Sequence, residues 1–152
     1  MLNIAIGADH GGFRLKEIIV KQLIAEGHSM IDLGCDCDVS VDYPDYALPV
    51  GKAVQLGQAD RGILVCGTGI GMSIAANKMT GIRCALVSDT FSAKATREHN
   101  DTNVLAIGER VIGPGLAWDI VKIWVDTPFS HEQRHQKRID KIAQIEAHSA
   151  GE

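Results

Sequence analysis

The chain has 152 residues, of which 45% are hydrophobic, and 15 basic against 19 acidic residues leave a net charge of −4. That length and apolar fraction suit one domain spanning 1–152 with a real core and exclude a disordered chain. The acidic balance argues against nucleic acid or an anionic membrane as partner. No apolar run reaches the ~18 residues that span a bilayer, and no secretory leader pattern opens the chain, so a cytoplasmic location is expected.

Hydrophobic period and turn residues give the elements in chain order. "LNIAIGA" reads as a short buried strand, and 12–26 as a helix with Leu15, Ile18, Ile19 and Leu23 on one face, ended by Gly27. "HSMIDLG" is a second strand, and "DYPDYALPVGKAVQLG" a loop and then a helix. "RGILVCG" is a third strand followed by the helix "IGMSIAANKM". "IRCALVS" is a fourth strand, and "DTFSAKATREHN" a helix capped by Ser88 or Asp89. "NVLAIG" is a fifth strand, and "PGLAWDIVKIWVD" a helix with Pro in its first turn. A last helix, about 131–148, opens with Ser130 and Gln133 in capping-box spacing and has no strand after it. Such a helix can lie on its own domain or reach a partner subunit.

Strands alternating with helices predict an α/β fold. The expectation is a doubly wound, five-stranded parallel sheet with helices on both faces. This is a Rossmann-like three-layer sandwich with an extra C-terminal helix. Short, continuous apolar strands suit a sheet covered on both sides.

Ligands of such sheets bind beyond the carboxyl ends of the strands. Those ends carry Asp9-His10, then Cys66-Gly67-Thr68-Gly69, then Asp89, then Gly108-Glu109-Arg110. His99-Asn100, at the end of the helix before strand five, are expected on the same rim.

The turn "CGTGIG" is not a dinucleotide fingerprint, because Met72 stands where the third glycine of G-x-G-x-x-G belongs. Nor is there a Walker loop: Gly51-Lys52 is followed by Ala53, with Tyr46 in place of the first glycine. Gly67, Gly69 and Gly71 before a helix can instead turn backbone N–H groups toward one point, an oxyanion cradle, or simply make a tight turn. Cys66 beside a helix N-terminus can gain thiolate character and act as nucleophile or base, or be an inert strand-end residue.

His99 and His10 are acid–base candidates or hydrogen-bonded surface histidines, and Asp9 could cap the next helix. Arg134 and Arg138, four apart beside Lys137, share a helix face that suits phosphate or solvent. Cys35-x-Cys37 lacks a partner pair and reads as loop; Cys84 lies in an apolar run and reads as packing. No metal set is predicted. Thiolate base, oxyanion cradle, histidine acid and arginine pair together suit proton transfer beside a carbonyl on a phosphorylated substrate, with no cofactor.

The segments "IAIGADHGGFRLK", "DYPDYA", "GILVCGTGIGMSIAANK", "GIRCALVSD", "REHNDTNVLAIGERVIG" and "RHQKRIDKI" cover nearly the whole chain. In this order they resemble ribose-5-phosphate isomerase type B, in the wider group with galactose-6-phosphate isomerase subunits. The resemblance implies a metal-free and cofactor-free isomerase of ribose 5-phosphate and ribulose 5-phosphate in carbohydrate metabolism. It implies Cys66 as the base moving the proton between C2 and C1, and the backbone of Gly67, Thr68, Gly69, Ile70 and Gly71 as the enediolate cradle. His99 would open the furanose ring with Asp9, and Thr68 belongs to the same catalytic set. Asn100 and Tyr43 would touch the sugar; His10, Arg134 and Arg138 would bind phosphate, with Arg110 nearby.

Relatives without the cysteine use a carboxylate from the following segment, but 67–78 here contain no Asp or Glu. The resemblance further implies a homodimer with shared sites, a dimer of dimers being left open. A hexose 6-phosphate of allose or galactose type, or a non-catalytic sugar-phosphate module, are the alternatives.

Overall fold

The computed structural model describes residues 1–151; Glu152, within the expected domain span, lies outside the described residues. Five strands form one sheet: β1 (Asn3–Ala8), β2 (Ser29–Asp32), β3 (Arg61–Cys66), β4 (Cys84–Leu86) and β5 (Val104–Gly108). All pairings are parallel, in the order β2-β1-β3-β5-β4. Six helices accompany them: α1 (Phe13–Ala25), α2 (Pro44–Gln55), α3 (Ile70–Ala76), α4 (Thr90–Asn100), α5 (Pro114–Asp126) and α6 (Gln133–Ala150). The predicted alternation is therefore present in full, as a three-layer α/β fold.

The pleat sends alternate strand residues to opposite faces. Ile4, Ile6, Ala8, Ile63, Val65, Leu105 and Ile107 pack with Leu15, Ile19, Ile120 and Trp124 of α1 and α5. Ala5, Leu64, Cys66, Val104 and Ala106 pack with Val50, Met72 and Ala76 of α2 and α3. Side chains smaller on the second face let α2 and α3 approach the sheet closely, which places the α3 N-terminus directly over the end of β3.

Three local expectations differ. The fourth strand is only three residues long, against seven in the apolar run 82–88, because it is an edge strand paired on one side, to β5. Between Ser88 and Asp89, it is Asp89 that caps α4, accepting from the Ser92 N–H at 2.7 Å. The Ser130–Gln133 capping box does not form. Ser130 Oγ instead accepts from the Glu132 N–H at 3.2 Å and bonds His135 Nδ1 at 2.7 Å, and α6 starts two residues later than expected, at Gln133 behind Glu132.

α6 is attached at both ends. His135 and Ile139 are buried on its inner face, and near its far end the Glu146 carboxylate accepts from the Gly81 N–H at 3.0 and 3.1 Å. Among the described residues no helix is long and apolar enough to cross a membrane.

Candidate active site

β1 and β3 are neighbours whose helices leave toward opposite faces, α1 to one and α3 to the other. Such a switch point opens a crevice at the carboxyl ends of the strands. Cys66 closes β3 there and is 5% exposed. Its Sγ accepts from the Gly69 N–H at 3.0 Å. That donor holds the sulfur in place.

Gly69 sits at φ 77°, left-handed, immediately before α3. A Cβ there would meet the Ile107 backbone at 3.0 Å, so both conformation and space call for glycine. The Ile70 N–H donates to Thr68 Oγ1 at 3.3 Å, which leaves the threonine hydroxyl proton free to be given elsewhere. Among the described residues the N–H groups of Gly67 and Thr68 find no acceptor. The turn is thus divided: the Gly69 N–H serves the thiol and the Ile70 N–H serves Thr68, while those of Gly67 and Thr68 stay open.

The crevice has three further walls. Arg110 is exposed, but its guanidinium comes within 3.3 Å of the Cβ position of Gly67, beside the cysteine. The Tyr43 ring lies across the first turn of α3, where a Cβ on Gly71 would stand 2.5 Å from its Cζ. Asp9 and His10 follow β1. Asp9 is 7% exposed, and its Oδ1 accepts from the Gly11 N–H at 2.8 Å, so it braces its own turn and does not cap α1. His10 Nδ1 accepts from the Val41 N–H at 3.2 Å, which assigns the proton to Nε2 as an outward donor.

His99 and Asn100 are not on this rim. A helix after a parallel strand carries the chain back across the sheet, and α4, 11 residues long, covers roughly 16 Å. Arg83, just before β4, donates from Nε to the Asn100 carbonyl at 3.0 Å, and β4 and β5 start side by side at Cys84 and Val104. His99 and Asn100 therefore lie at the amino ends of the strands, while Cys66 pairs with Gly108 at the other end of β5. The expectation of one converging rim is corrected to two clusters, one at each end of the sheet.

The second cluster is held from below. Asp101 ends α4 with φ 44° and is fixed there by Arg97 at 2.8 Å and Arg83 at 3.4 Å. The sequence reading missed His135. It is 4% exposed and stacks on His99 with ring centroids 4.4 Å apart. The spacing His135-x3-Ile139 marks an inward helix face and could have found it. Arg134 and Arg138 flank His135 on α6, both exposed; Arg134 Nε donates to Glu132 at 2.7 Å. His99, Asn100 and both arginines are thus brought together, away from Cys66.

Two of the other three cysteines have raised thiol pKa values. Burial pushes the Cys84 thiol up to about 12 and raises that of Cys35, which donates to the Cys37 carbonyl at 3.4 Å. Cys84 itself is half-buried and packs against the α2–α3 side of the core, in keeping with its reading as packing. Glu17, Asp32 and Asp36 are close enough to share a cation, but the buried Lys16 ammonium already sits among them, 2.7 Å from Asp32, 3.4 Å from Asp36 and 3.6 Å from Glu17. Burial alone would lower the Lys16 pKa; bonds and charges from Asp32 and Asp36 outweigh it and raise it.

The same arrangement is known elsewhere. The family model described as Ribose/Galactose Isomerase matches residues 4–142. Ribose-5-phosphate isomerase B of Escherichia coli is 49% identical over 146 residues, covering 96% of this chain and 97% of that one. D-erythrulose-4-phosphate isomerase of Pectobacterium atrosepticum is 41% identical over 152 residues, covering 90% of this chain and all (100%) of that one. The structure of Clostridium thermocellum ribose-5-phosphate isomerase B superimposes with a TM-score of 0.95 at 50% identity, over 97% of this chain and 99% of that one. With a family model spanning most of its length and relatives this close, the chain belongs to the ribose/galactose isomerase family.

Proposed function

We propose that this protein interconverts ribose 5-phosphate and ribulose 5-phosphate, with Cys66 as base, in sites shared between two copies of the chain. The observation that carries the reading is the Gly69 N–H on Cys66 Sγ beside an open helix N-terminus. Base and oxyanion cradle are joined in one turn.

His99 assists opening of the furanose ring, supported by Asp9, to give the aldehyde at C1. The Cys66 thiolate takes the proton from C2, and the C1 oxygen gains the charge as the enediolate forms. The Gly67 to Gly71 backbone meets that charge, and Thr68 gives its hydroxyl proton to it. The proton of the C2 hydroxyl leaves as the C2 carbonyl forms, restoring Thr68, and Cys66 returns its proton to C1. A positioned base is worth ~10²–10⁴-fold. One preorganised N–H donor is worth ~3–4 kcal/mol. Tyr43 and Asn100 contact the sugar; His10, Arg134 and Arg138, with Arg110 near, bind the phosphate.

A second copy is what this reading needs, because Cys66 and His99 lie at opposite ends of the sheet. Apolar surface for it is present: Ile70, Ile74, Leu86 and Phe91 are exposed near α3 and α4, as are Ile142 and Ile145 on α6. A cleft of about 710 Å³ between α6 and the segment 77–85 is open to a partner. The reading is a homodimer with α6 contributing to its partner's site. Its substrate is a charged phosphate ester that does not cross a bilayer unaided, which supports reading the reaction as cytoplasmic.

Substrate length is the open dimension, and the erythrulose-phosphate relative supports testing it. Ribose 5-phosphate, allose 6-phosphate, galactose 6-phosphate and erythrulose 4-phosphate should be offered in parallel. The highest kcat/KM is expected for ribose 5-phosphate. A higher value for another sugar would reassign the substrate, and binding without turnover of any would leave a sugar-phosphate-binding module.

A further inference from the structure

Two helices begin at the switch point, and only one meets a carboxylate at its N-terminus. α3 has no acidic residue in its first turn; it meets the neutral Thr68 hydroxyl, on the Ile70 N–H at 3.3 Å, but no carboxylate among the described residues. α1 also lacks a local cap: its N-cap is Gly12, and its first turn holds no acid. Its acceptor comes from 94 residues away, where Glu109 Oε2 takes the Leu15 N–H at 3.0 Å. Glu109 follows β5 and is half-buried.

The same residue is bound to the cysteine. The Glu109 N–H donates to the Cys66 carbonyl at 2.9 Å, and the next N–H, of Arg110, donates to the Gly67 carbonyl at 3.0 Å. On the other side, α1 is pressed on the end of β3. A Cβ on Gly12 would stand 2.5 Å from the Val65 carbonyl, and the Asp9 N–H donates to that carbonyl at 3.2 Å. Gly12 N–H in turn donates to the Asp9 carbonyl at 3.1 Å. The bonds close a ring: Cys66, Glu109, the first turn of α1, the Asp9-His10 loop, and back to Val65.

We propose that Glu109 is a positioning residue of the isomerase site, whose carboxylate closes α1 and locks the Asp9-His10 loop to the strand end that carries Cys66. The inference rests on the isomerase reading. Glu109 does not touch the reacting atoms. It acts by fixing two loops that do, and displacement by about 1 Å at such a site costs on the order of 10²-fold in rate.

Glu109→Ala and Glu109→Gln separate this from a general structural role. Glutamine keeps an acceptor for the Leu15 N–H and loses the charge. Expected for Glu109→Ala is a loss in kcat of about tenfold to a hundredfold with KM changed far less. Amide exchange should speed up at Leu15 and in the Asp9–Gly12 loop, while exchange in β3 and β5 stays slow. Glu109→Gln should recover most of kcat and of the protection. Unchanged kcat and exchange in Glu109→Ala would overturn the proposal, as would a glutamine variant impaired as much as the alanine variant. The exchange data need no substrate. A wild-type protein inactive on every sugar phosphate would therefore sink the isomerase reading while Leu15 protection still decided whether Glu109 locks the loop.

Discussion

At the carboxyl rim three of the candidate groups are held by main-chain N–H groups. Cys66 is buried and held by Gly69, Asp9 is buried and held on Gly11, and His10 is held by Val41. At the amino rim the candidate groups stand in solvent. His99, Asn100, Arg134 and Arg138 are all exposed, and what is buried is their support: His135, Arg97 and Thr102. Chemistry that moves a proton needs fixed geometry before the substrate arrives. Groups that grip a phosphate can be long and mobile until it does. On the proposed reading the base and its cradle lie within one chain, and the His99 cluster is presented outward to a second.

Cys66→Ala should break the first half and leave the second intact. Isomerisation should fall by at least ~10²–10⁴-fold, with exchange of the C2 proton into deuterated solvent falling in parallel and substrate binding retained. Exchange at the wild-type rate would remove the base assignment. Arg138→Ala should do the converse. Losing a charged hydrogen bond of about 1.5–3 kcal/mol, it should raise KM roughly tenfold or more for the phosphorylated sugar and leave kcat largely unchanged. An equal effect on unphosphorylated ribose would take the phosphate role from it.

Lys16 sharpens the contrast from below, since it ties α1 to Asp32 and Asp36, ahead of the loop that carries Val41 and Tyr43. Its pKa is raised above the ordinary 10.5, so the ammonium favours the fold fully below that value, and the benefit is lost as pH climbs through the higher folded value. Lys16→Met should lower stability by roughly 1–3 kcal/mol at neutral pH, less than an enclosed pair because the carboxylates keep water. Denaturation curves should show that difference narrowing above pH 10.5. A difference independent of pH would mean that Lys16 acts by packing alone.

The contrast also explains what could be read from the sequence. Carboxyl-rim residues are contiguous with strand ends, so strand period and the glycine turn located Cys66 through Gly71, Asp9 and His10 directly. The strand order was not legible, because a helix between β3 and β4 leaves the same pattern whether or not a later strand is inserted. His99 was legible as a candidate but was assigned to the wrong rim. An 11-residue helix after a parallel strand must return the chain to the strand starts, and that length argument was available. Glu109 was legible as a rim residue after β5, but not its role, since its partner on α1 lies 94 residues earlier and only folding joins them.

The central claim is that Cys66 of one chain works with His99 of another. The direct measurement is complementation between Cys66→Ala and His99→Asn, each inactive alone, mixed after joint refolding or made together in one cell. Random pairing of two-fold dimers puts half the molecules in mixed dimers, each with one intact and one doubly deficient site, so activity should return to about one quarter of wild type. No recovery, with mixed dimers demonstrated by mass, would mean that each site is completed within a single chain and would contradict the account.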